Sequence, residues 1–395
     1  MWFFLLVDSR TLKKLDHTLV LTAAFIILYG LIVIYSATKP VQVLGSAGGS
    51  GADSFIYVKK QLLNVFLGLA AMVFMVRINY EELAKRVKIL YALNLVLLLA
   101  VVLIGRTELG ATRWISIGPF NFQPSEFSKL LMIICYAAFL VQRGGKLQHL
   151  RDLVPSFVFF GLPMLLVLKQ PDLGTSMVLA AIMFGMLFAA GARPLLLAGL
   201  ILGGLALISL WIWAHFWFLA HTSFNLWVPL KEYQLKRLII FLNPWQDWHG
   251  DGYHIIQSQI AIGQGGFWGR GLFQGSQTHG EFLPIQETDF IFSVVGEELG
   301  FVGALALLGL FFLLIYRFID IAVNAKDNFG YLLCAGIASM VTFHVVVNIG
   351  MTTGIMPVTG IPLPMFSYGG SSMITNLAAI GLVLNVNMKR KKIIF

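Results

Sequence analysis

The residues of this chain best suited to chemistry are acids and bases at the ends of apolar runs. Asp289 follows Thr288 where the polar stretch LPIQET passes into a long apolar run. Thr288 is predicted to cap a helix, which places Asp289 in its first turn, where the helix dipole favours an anion. A carboxylate ionised there on a rigid element can act as a general base towards a hydroxyl group. An acid in a first turn is equally typical of simple helix capping.

A second set of charged residues lies in GATRWISIGPFNFQPSEFSKL, residues 110–130. A helix is predicted to begin at the proline of QPSEF, and Glu126 and Lys129, three residues apart, then share one of its faces. An acid and a base on an apolar helix indicate a polar cleft, and the competing interpretation is a structural salt bridge. Arg113 is suited to clamping a phosphate, and Trp114 to stacking on a sugar or anchoring at a membrane interface.

Two further polar sites flank apolar runs. Asp172, in KQPDLGTS, is predicted to open a helix and adds a second carboxylate at the same level. The stretch 348–372 contains three prolines and five glycines, which forbid a regular helix. Irregular backbone is tolerated in a membrane only where it is buried or lines a cavity, so this stretch is predicted to floor the cleft. Ser371, at the next helix start, is an anion-site candidate or a simple cap.

Four interior polar residues are interpreted as structural. Glu297 and Glu298 lie eight and nine residues past Asp289, which is about 12 Å further along a helix. They are predicted to be buried and hydrogen-bonded. His344 and Asn348 are one helical turn apart and are also interpreted as satisfied interior groups.

The composition places these sites in a membrane protein. Hydrophobic residues make up 58% of the 395-residue chain, charged residues only 12%, and the mean hydropathy is +0.81. A soluble domain carries about 25% charged residues, so a soluble enzyme is excluded. The two cysteines lie in separate apolar runs and show neither a disulfide framework nor zinc-ligand spacing. No nucleic-acid partner is expected.

Apolar runs near the ~20 residues needed to cross a bilayer predict an all-α polytopic protein with about ten transmembrane helices. We expect a single transmembrane domain over 1–395, with helices near 19–36, 61–76, 88–105, 127–142, 153–169, 173–190, 194–214, 289–315, 331–353 and 371–388. An even number of helices places both termini on one side. Most of the 28 basic residues fall in short loops or the tail on that side, which indicates the cytoplasm.

The largest loop on the outer face spans 215–288, between the seventh and eighth helices. It is predicted to contain two amphipathic helices, at 235–245 and 253–273, that lie in the interface plane and form a lid over the cleft. Three tryptophans of this loop, Trp245, Trp248 and Trp268, are interpreted as interfacial anchors.

These motifs together resemble the SEDS family (shape, elongation, division and sporulation) of bacterial cell-wall synthesis. The resemblance covers essentially the whole chain through ATRWI, QPSEFSK, QPDLGTS, GYHIIQSQIAIGQGGFWGRG, LPIQETDFIFSVVGEELGF and GIMPVTGIPLPMFSYGGSS. Within the family, PVTGIPLP and the Gly275-Ser276-Gln277 pattern favour the elongation branch, RodA, over the division branch, FtsW.

The resemblance implies a peptidoglycan glycosyltransferase that polymerises lipid II at the outer face of the cytoplasmic membrane. The family's essential acid corresponds to Asp289, expected to be the catalytic base. Lys129 and Arg113 are then expected to stabilise the undecaprenyl diphosphate leaving group. The expected substrate-binding residues are Arg113, Trp114, Glu126, Lys129, Asp172, Lys60, Arg270 and Ser371, although Lys59-Lys60 stand where some members have an arginine. The usual glutamate after LP is Ile285 here, so no role is assigned there.

Partners and alternatives follow from the same resemblance. A class B penicillin-binding protein (the transpeptidase), the elongation machinery and membrane lipids are the expected partners. A divalent cation, Mg²⁺ or Mn²⁺, held by Asp289, Asp172 or Glu126 against the diphosphate is a further hypothesis. The rival functions are a lipid II flippase, whose site belongs near the bilayer midplane, and a non-enzymatic scaffold for a penicillin-binding protein.

Overall fold

A computed structural model provides the structure of the chain. It describes residues 15–39, 54–108, 111–117, 120–145, 147–221, 232–247, 250–280, 282 and 286–390. Trp248, Ile285 and the end of the basic tail, which the sequence analysis mentions, lie outside these residues.

Ten long helices among the described residues confirm the polytopic all-α architecture. In chain order they are α1 (His17–Ala37), α2 (Ser54–Arg77), α4 (Val87–Ile104), α5 (Pro124–Arg143), α6 (Leu150–Lys169), α7 (Leu173–Ala189), α8 (Pro194–His221), α12 (Ile291–Val323), α13 (Asn328–Thr352) and α14 (Gly370–Met388). A short helix, α3 (Tyr80–Lys85), joins α2 to α4. Within the described residues, nine helices are long and apolar enough to cross a membrane, and α7 is an apolar helix of 17 residues.

The centre of the bundle is formed by α5, α13 and α14, whose side chains are mostly buried. The peripheral helix α8 instead exposes a long series of leucines, including Leu195, Leu202 and Leu207. Because the interior of a bilayer is as apolar as leucine, such a surface is suited to lipid. The polar residues of the central helices, in contrast, are mostly buried inside the bundle.

A small antiparallel sheet lies between α4 and α5. It consists of β1 (Arg106–Glu108), β2 (Ala111–Ile117) and β3 (Phe120–Phe122), in the order β1-β2-β3. In the register, Trp114 pairs with Arg106 and Ile115 pairs with Phe122. No strand was predicted here from the sequence. The sheet fixes the strand that carries Arg113 and Trp114.

The described part of the large outer loop contains three helices and a 3₁₀ turn. They are α9 (Glu232–Leu242), the turn Pro244–Asp247, α10 (Asp251–Gly265) and α11 (Ser276–His279). The prediction of helices in this loop is confirmed, but the apolar side of α10 packs against the protein and does not face lipid. Its apolar residues Ile255, Ile256 and Ala261 are buried, because α10 packs along the first turns of α12 and against α13.

The segment after α10 is joined to α12 through the backbone. Gly300 has non-helical angles (φ 62°, ψ −159°) and kinks α12 there. The carbonyl groups of Glu297 and Glu298 accept hydrogen bonds from the amides of Arg270 and Gly271. The amides of Phe301 and Val302 donate to the carbonyl groups of Gly266 and Phe267, so the loop replaces the helical partners that the kink removes.

Candidate active site

A polar cavity of about 340 Å³ opens among α5, α7, α13, the turn ahead of α12 and the loop ahead of α14. Seven of the nine predicted site residues line it, two of them on β2, and α9 adds a further side chain. The polar or charged residues among the lining are Arg113, Trp114, Gln123, Glu126, Lys129, Asp172, Thr175, Arg237, Thr288, Asp289, His344, Tyr368, Ser371 and Ser372. The converging set predicted from sequence is therefore present in one site.

Asp289 lies in a turn, not in the first turn of a helix. Residues 286–290 form this turn, and α12 begins at Ile291 after Phe290. The prediction that Thr288 caps α12 is wrong, because the N-cap residue is Phe290 and no side chain caps this helix start. The carboxylate of Asp289 instead projects from the turn into the cavity that it lines.

The turn that carries Asp289 is fastened to the loop ahead of α14. The side-chain amide of Asn348 donates to the carbonyl oxygens of both Asp289 (3.0 Å) and Ile361 (2.8 Å). The Ser367 hydroxyl donates to the Thr288 carbonyl at 2.7 Å. The irregular 348–372 connection, predicted as the floor of the cleft, thus holds the turn in place. Asn348 is buried, as predicted, and its Nδ2 is satisfied, whereas its Oδ1 has no hydrogen-bond partner among the described residues.

The loop also leaves room for the Asp289 carboxylate. Gly360 has a positive φ of 69°, and a Cβ atom added there would lie 3.3 Å from Asp289 Oδ2. A side chain at this position would crowd the carboxylate and strain the backbone. Glycine at 360 therefore keeps one face of the acid open to the cavity.

Burial raises the pKa of the Asp289 carboxyl above its usual range. A hydrogen bond from Thr288 and the guanidinium groups of Arg237 and Arg113 act in the opposite direction, and Glu287 adds to the increase. A carboxylate with a raised pKa is a stronger base than an ordinary aspartate. The neighbouring guanidinium groups favour its ionised form, so the arrangement can accept a proton from a hydroxyl group.

Asp172 is the N-cap of α7, as its position after Pro171 predicted. Its carboxylate accepts hydrogen bonds from the amide (3.1 Å) and hydroxyl (2.8 Å) of Thr175, and more distantly from Ser125 (3.4 Å) and Gln123 (3.4 Å). Arg113 lies 4.0 Å from it and also donates to the Pro171 carbonyl. The carboxylate of Asp172 therefore orients Arg113 and anchors α7 to α5.

Glu126 and Lys129 form the predicted pair on one face of α5. Lys129 Nζ lies 2.6 Å from Glu126 Oε1 and 3.0 Å from His344 Nε2 on α13. All three residues are at least 96% buried and line the cavity. The prediction that His344 is an interior polar group is confirmed, but its contact with Lys129 was not foreseen.

Arg237 on α9 is the cavity residue that sequence reasoning missed most completely. It follows Lys236 in a segment interpreted as an interfacial helix, and its Nη1 lies 3.4 Å from the Val358 carbonyl. The outer loop thus supplies a guanidinium group to the cavity. The signal available in the sequence was a basic residue on the amphipathic LKRLII helix.

Two predicted binding residues are not brought to the cavity. Lys60 is exposed on α2, and Arg270 is exposed after α10, where it donates to the Ser276 hydroxyl. Ser371 does line the cavity, and its hydroxyl accepts a hydrogen bond from the backbone amide of Gln123 at 3.0 Å. Its position at the start of α14 is as predicted.

Glu297 and Glu298 are fully buried outside this cavity. Glu297 accepts hydrogen bonds from the amides of Gln277 (2.7 Å) and Thr278 (3.0 Å) and from the Thr278 hydroxyl (2.7 Å). Glu298 accepts from the Ser36 hydroxyl and lies 3.3 Å from His279 Nε2. This contact raises the pKa of His279. Both acids are buried and hydrogen-bonded, as predicted.

The acids of the cavity do not form a metal cage by themselves. Among the residues that the structure describes, no three His, Cys, Asp or Glu side chains come together as a metal-ligand group. Asp172 is occupied by hydroxyl and amide donors, and Glu126 Oε1 by Lys129. The carboxylate of Asp289 is thus the acid of this cavity most suited to an ion that brings its own oxygen ligands.

Comparison with known proteins identifies relatives over nearly the whole chain. The family model of the FtsW/RodA/SpoVE cell cycle proteins matches residues 16–392. Stage V sporulation protein E of Bacillus subtilis (strain 168) is 38% identical over 94% of this chain and 96% of its own. The probable peptidoglycan glycosyltransferase FtsW of Trichlorobacter lovleyi is 36% identical over 95% and 94%. The peptidoglycan glycosyltransferase MrdB of Escherichia coli (strain K12) is 37% identical over 95% and 94%.

Solved structures share the fold. A chain from a peptidoglycan synthase complex that coordinates polymerization and crosslinking has a TM-score of 0.75 and 32% identity, over 96% of this chain and 99% of that one. The rod shape determining protein RodA of Thermus thermophilus has a TM-score of 0.66 and 29% identity, over 96% and 98%. Relatives with division, sporulation and shape-related names match at similar identity, so the predicted elongation branch is not distinguished.

Proposed function

This chain belongs to the FtsW/RodA/SpoVE family, and from that premise we propose that it is a peptidoglycan glycosyltransferase. Two of the similar proteins carry that name. The observation that carries the proposal is the cavity, where the Asp289 carboxylate shares one enclosed volume with the guanidinium groups of Arg113 and Arg237. A base beside two cations matches a reaction in which a hydroxyl attacks and a diphosphate leaves.

The substrate is lipid II, and Asp289 is the general base. The 4-hydroxyl of the acceptor sugar presents its proton to the Asp289 carboxylate. The hydroxyl oxygen forms a bond to the anomeric carbon of the growing chain's terminal sugar as the bond to the diphosphate oxygen breaks. A single displacement of this kind inverts the configuration at the anomeric carbon. One acid is enough, because a diphosphate leaves without being protonated, unlike the leaving group in glycoside hydrolysis.

Arg113 and Arg237 stabilise the undecaprenyl diphosphate that leaves. The guanidinium group presents several N–H donors in a plane, which suits phosphate oxygens. Arg113 is oriented by the Pro171 carbonyl and Asp172, while Arg237 arrives from the outer loop. The 215–288 loop therefore acts as a lid that completes the cation pair over the cavity.

Asp289 is the residue that would hold a divalent cation, Mg²⁺ or Mn²⁺, together with the diphosphate of the substrate. Such ions are commonly bound by one or two carboxylates together with substrate phosphates, and Asp289 is the protein ligand that fits this pattern. When bound, the ion adds charge neutralisation for the leaving group. The chain's own residues supply the base and the guanidinium pair.

The protein acts in cell elongation at the outer face of the bacterial cytoplasmic (inner) membrane, with both termini in the cytoplasm. PVTGIPLP and Gly275-Ser276-Gln277 support the elongation branch, and the distribution of basic residues supports the orientation. A class B penicillin-binding protein crosslinks the product, in keeping with the similar chain from a complex that couples polymerization to crosslinking.

Polymerisation of lipid II by the purified protein tests this function. Wild-type protein and the Asp289→Asn variant are compared with and without a matched penicillin-binding partner and divalent cations. Long glycan strands from the wild type and none from the variant are the expected result. No strands under any condition, together with movement of lipid II across vesicle membranes, would instead support a flippase. Strands at the wild-type rate from Asp289→Asn would exclude the general-base role.

A further inference from the structure

The inner end of the cavity contains a hydrogen-bonded set of three buried side chains, Glu126, Lys129 and His344. Lys129 Nζ is 2.6 Å from Glu126 Oε1 and 3.0 Å from His344 Nε2. From the family resemblance, Lys129 was expected to stabilise the diphosphate leaving group. The contacts of the set point to a different ligand.

The hydrogen bonds of His344 determine which of its nitrogens carries a proton. Its Nδ1 lies 2.7 Å from the Met340 carbonyl oxygen, which only accepts, so Nδ1 carries a hydrogen. Its Nε2 faces the Lys129 ammonium group, which only donates, so Nε2 is the acceptor of a neutral ring. His344 thus positions Lys129 without adding charge.

The set leaves one donor and one acceptor without a partner beside the cavity. Lys129 has three N–H donors, of which Glu126 and His344 take two. Glu126 Oε2 has no hydrogen-bond partner among the described residues. The charges of Glu126 and Lys129 cancel, and both residues line the cavity. A ligand group that both accepts and donates, such as a hydroxyl or an amide, satisfies the two; a phosphate, which only accepts, meets the carboxylate oxygen unfavourably.

The set lies about one helical turn below Asp289. Asn348 on α13 contacts the Asp289 backbone, and His344 is four residues earlier on the same helix, about 6 Å along its axis. This offset separates the set from the turn that carries the base. A sugar presenting one hydroxyl to Asp289 can place another polar substituent of the same ring at this depth.

We propose that Glu126 and Lys129, positioned by His344, bind an uncharged hydroxyl or amide group of the substrate sugar and not its diphosphate. The inference rests on the proposed glycosyltransferase function. It divides the cavity into a sugar subsite on α5 and α13 and a diphosphate subsite at Arg113 and Arg237.

Binding of lipid II and of undecaprenyl diphosphate to the membrane-reconstituted protein tests this division. The two probes share the diphosphate and the lipid and differ in the sugars and peptide. Glu126→Gln is expected to weaken lipid II binding at least tenfold, while binding of undecaprenyl diphosphate is unchanged or tighter. Arg113→Gln is the comparison variant and is expected to weaken both probes.

Lys129→Met is expected to follow Glu126→Gln, with lipid II weakened at least tenfold and undecaprenyl diphosphate less than threefold. Equal loss of both probes in Lys129→Met, or tighter binding of both in Glu126→Gln, would overturn the proposal. Because binding is measured directly, a wild-type protein that binds both probes but makes no glycan refutes the proposed activity and not the subsite.

His344 is tested as a positioning residue with a matched pair of variants. The side-chain oxygen of His344→Gln can accept from Lys129, whereas His344→Leu cannot. The KM for lipid II is expected to rise at least tenfold in His344→Leu and to recover in His344→Gln, with undecaprenyl diphosphate binding little changed in both. Equal KM values in two variants with equally lowered unfolding temperatures would show a merely structural role.

Discussion

Asp289 and Glu297 are acids eight residues apart that meet opposite environments. Glu297 is completely buried, and both of its oxygens accept hydrogen bonds from Gln277 and Thr278. Asp289 precedes the same helix but faces a cavity, with a glycine on one side and arginines nearby. Glu297 is surrounded by donors from its own chain. Asp289 is not surrounded by donors in this way and remains open to a ligand.

The comparison teaches that burial alone does not mark a catalytic acid. A carboxylate whose acceptor sites are filled by the protein stabilises the fold, because removing it leaves buried donors unpaired. A carboxylate beside a cavity contributes less to stability and keeps its lone pairs for substrate. The two acids should therefore respond oppositely to neutralisation.

Asp289→Asn should produce the largest functional change. We expect polymerisation to fall by about 10²- to 10⁴-fold, the usual contribution of a general base, with little change in unfolding temperature. Glycan synthesis and thermal unfolding are measured on the same preparation. Glu287→Gln removes a charge from the same turn and should retain most of the activity. Similar losses in both variants would mean that the charge of the turn matters, and not the Asp289 carboxylate.

Glu297→Gln should give the reverse result. We expect the free energy of unfolding to fall by about 1.5–3 kcal/mol, because an amide cannot accept from all the donors that converge on Glu297. The protein that remains folded should polymerise lipid II at close to the wild-type rate. Normal unfolding with abolished activity would break the comparison and place Glu297 in the catalytic machinery.

Gly360→Ala should affect stability and activity together. The positive φ costs a non-glycine residue about 1–2 kcal/mol, and the added methyl group would lie 3.3 Å from Asp289 Oδ2. Gly191→Ala is a matched control, since Gly191 also has a positive φ (90°) but has open space around it. Both variants should unfold at lower temperature, and only Gly360→Ala should also lose polymerisation. Equal activity in the two would show that the cavity tolerates the methyl group.

Arg237→Gln should lower activity less than Asp289→Asn, because Arg113 still faces the diphosphate, and it should also shift the pH profile. Arg237 favours the ionised form of Asp289, so its loss raises the pKa of that carboxyl further. A base works only when deprotonated, and activity is lost as the pH falls through its pKa. The acid limb of kcat/KM should therefore move to higher pH. Lys236→Gln, whose lysine pairs with Asp247 on the protein surface, should leave that limb in place.

The ten helices were predictable because hydrophobic runs in a membrane protein have one dominant interpretation. The ends of the observed helices lie within a few residues of the predicted runs, except that α2 begins earlier, at Ser54, and α8 and α12 continue further at their C-terminal ends. Asp172, Glu126 and Lys129 were also found, because helix starts and spacing of three residues have clear sequence signals.

The residues that were missed depend on contacts between distant segments. Arg237 reaches the cavity only because α9 lies over the loop at Val358, 121 residues later in the chain. His344 meets Lys129 across 215 residues. The turn at Asp289 is held by Ser367 and Asn348, so a helical cap was predicted where tertiary hydrogen bonds are used instead. Local spacing contains no information on such pairings.

The kink at Gly300 couples a segment of the outer loop to α12, so that the two move together. Residues 266–271 provide the hydrogen-bond partners that 297–302 would otherwise find within the helix. The two segments cannot separate without breaking the four backbone hydrogen bonds between them, so both should exchange their amide hydrogens as one unit. A protein that binds this loop segment from outside is therefore coupled directly to the helix that follows Asp289.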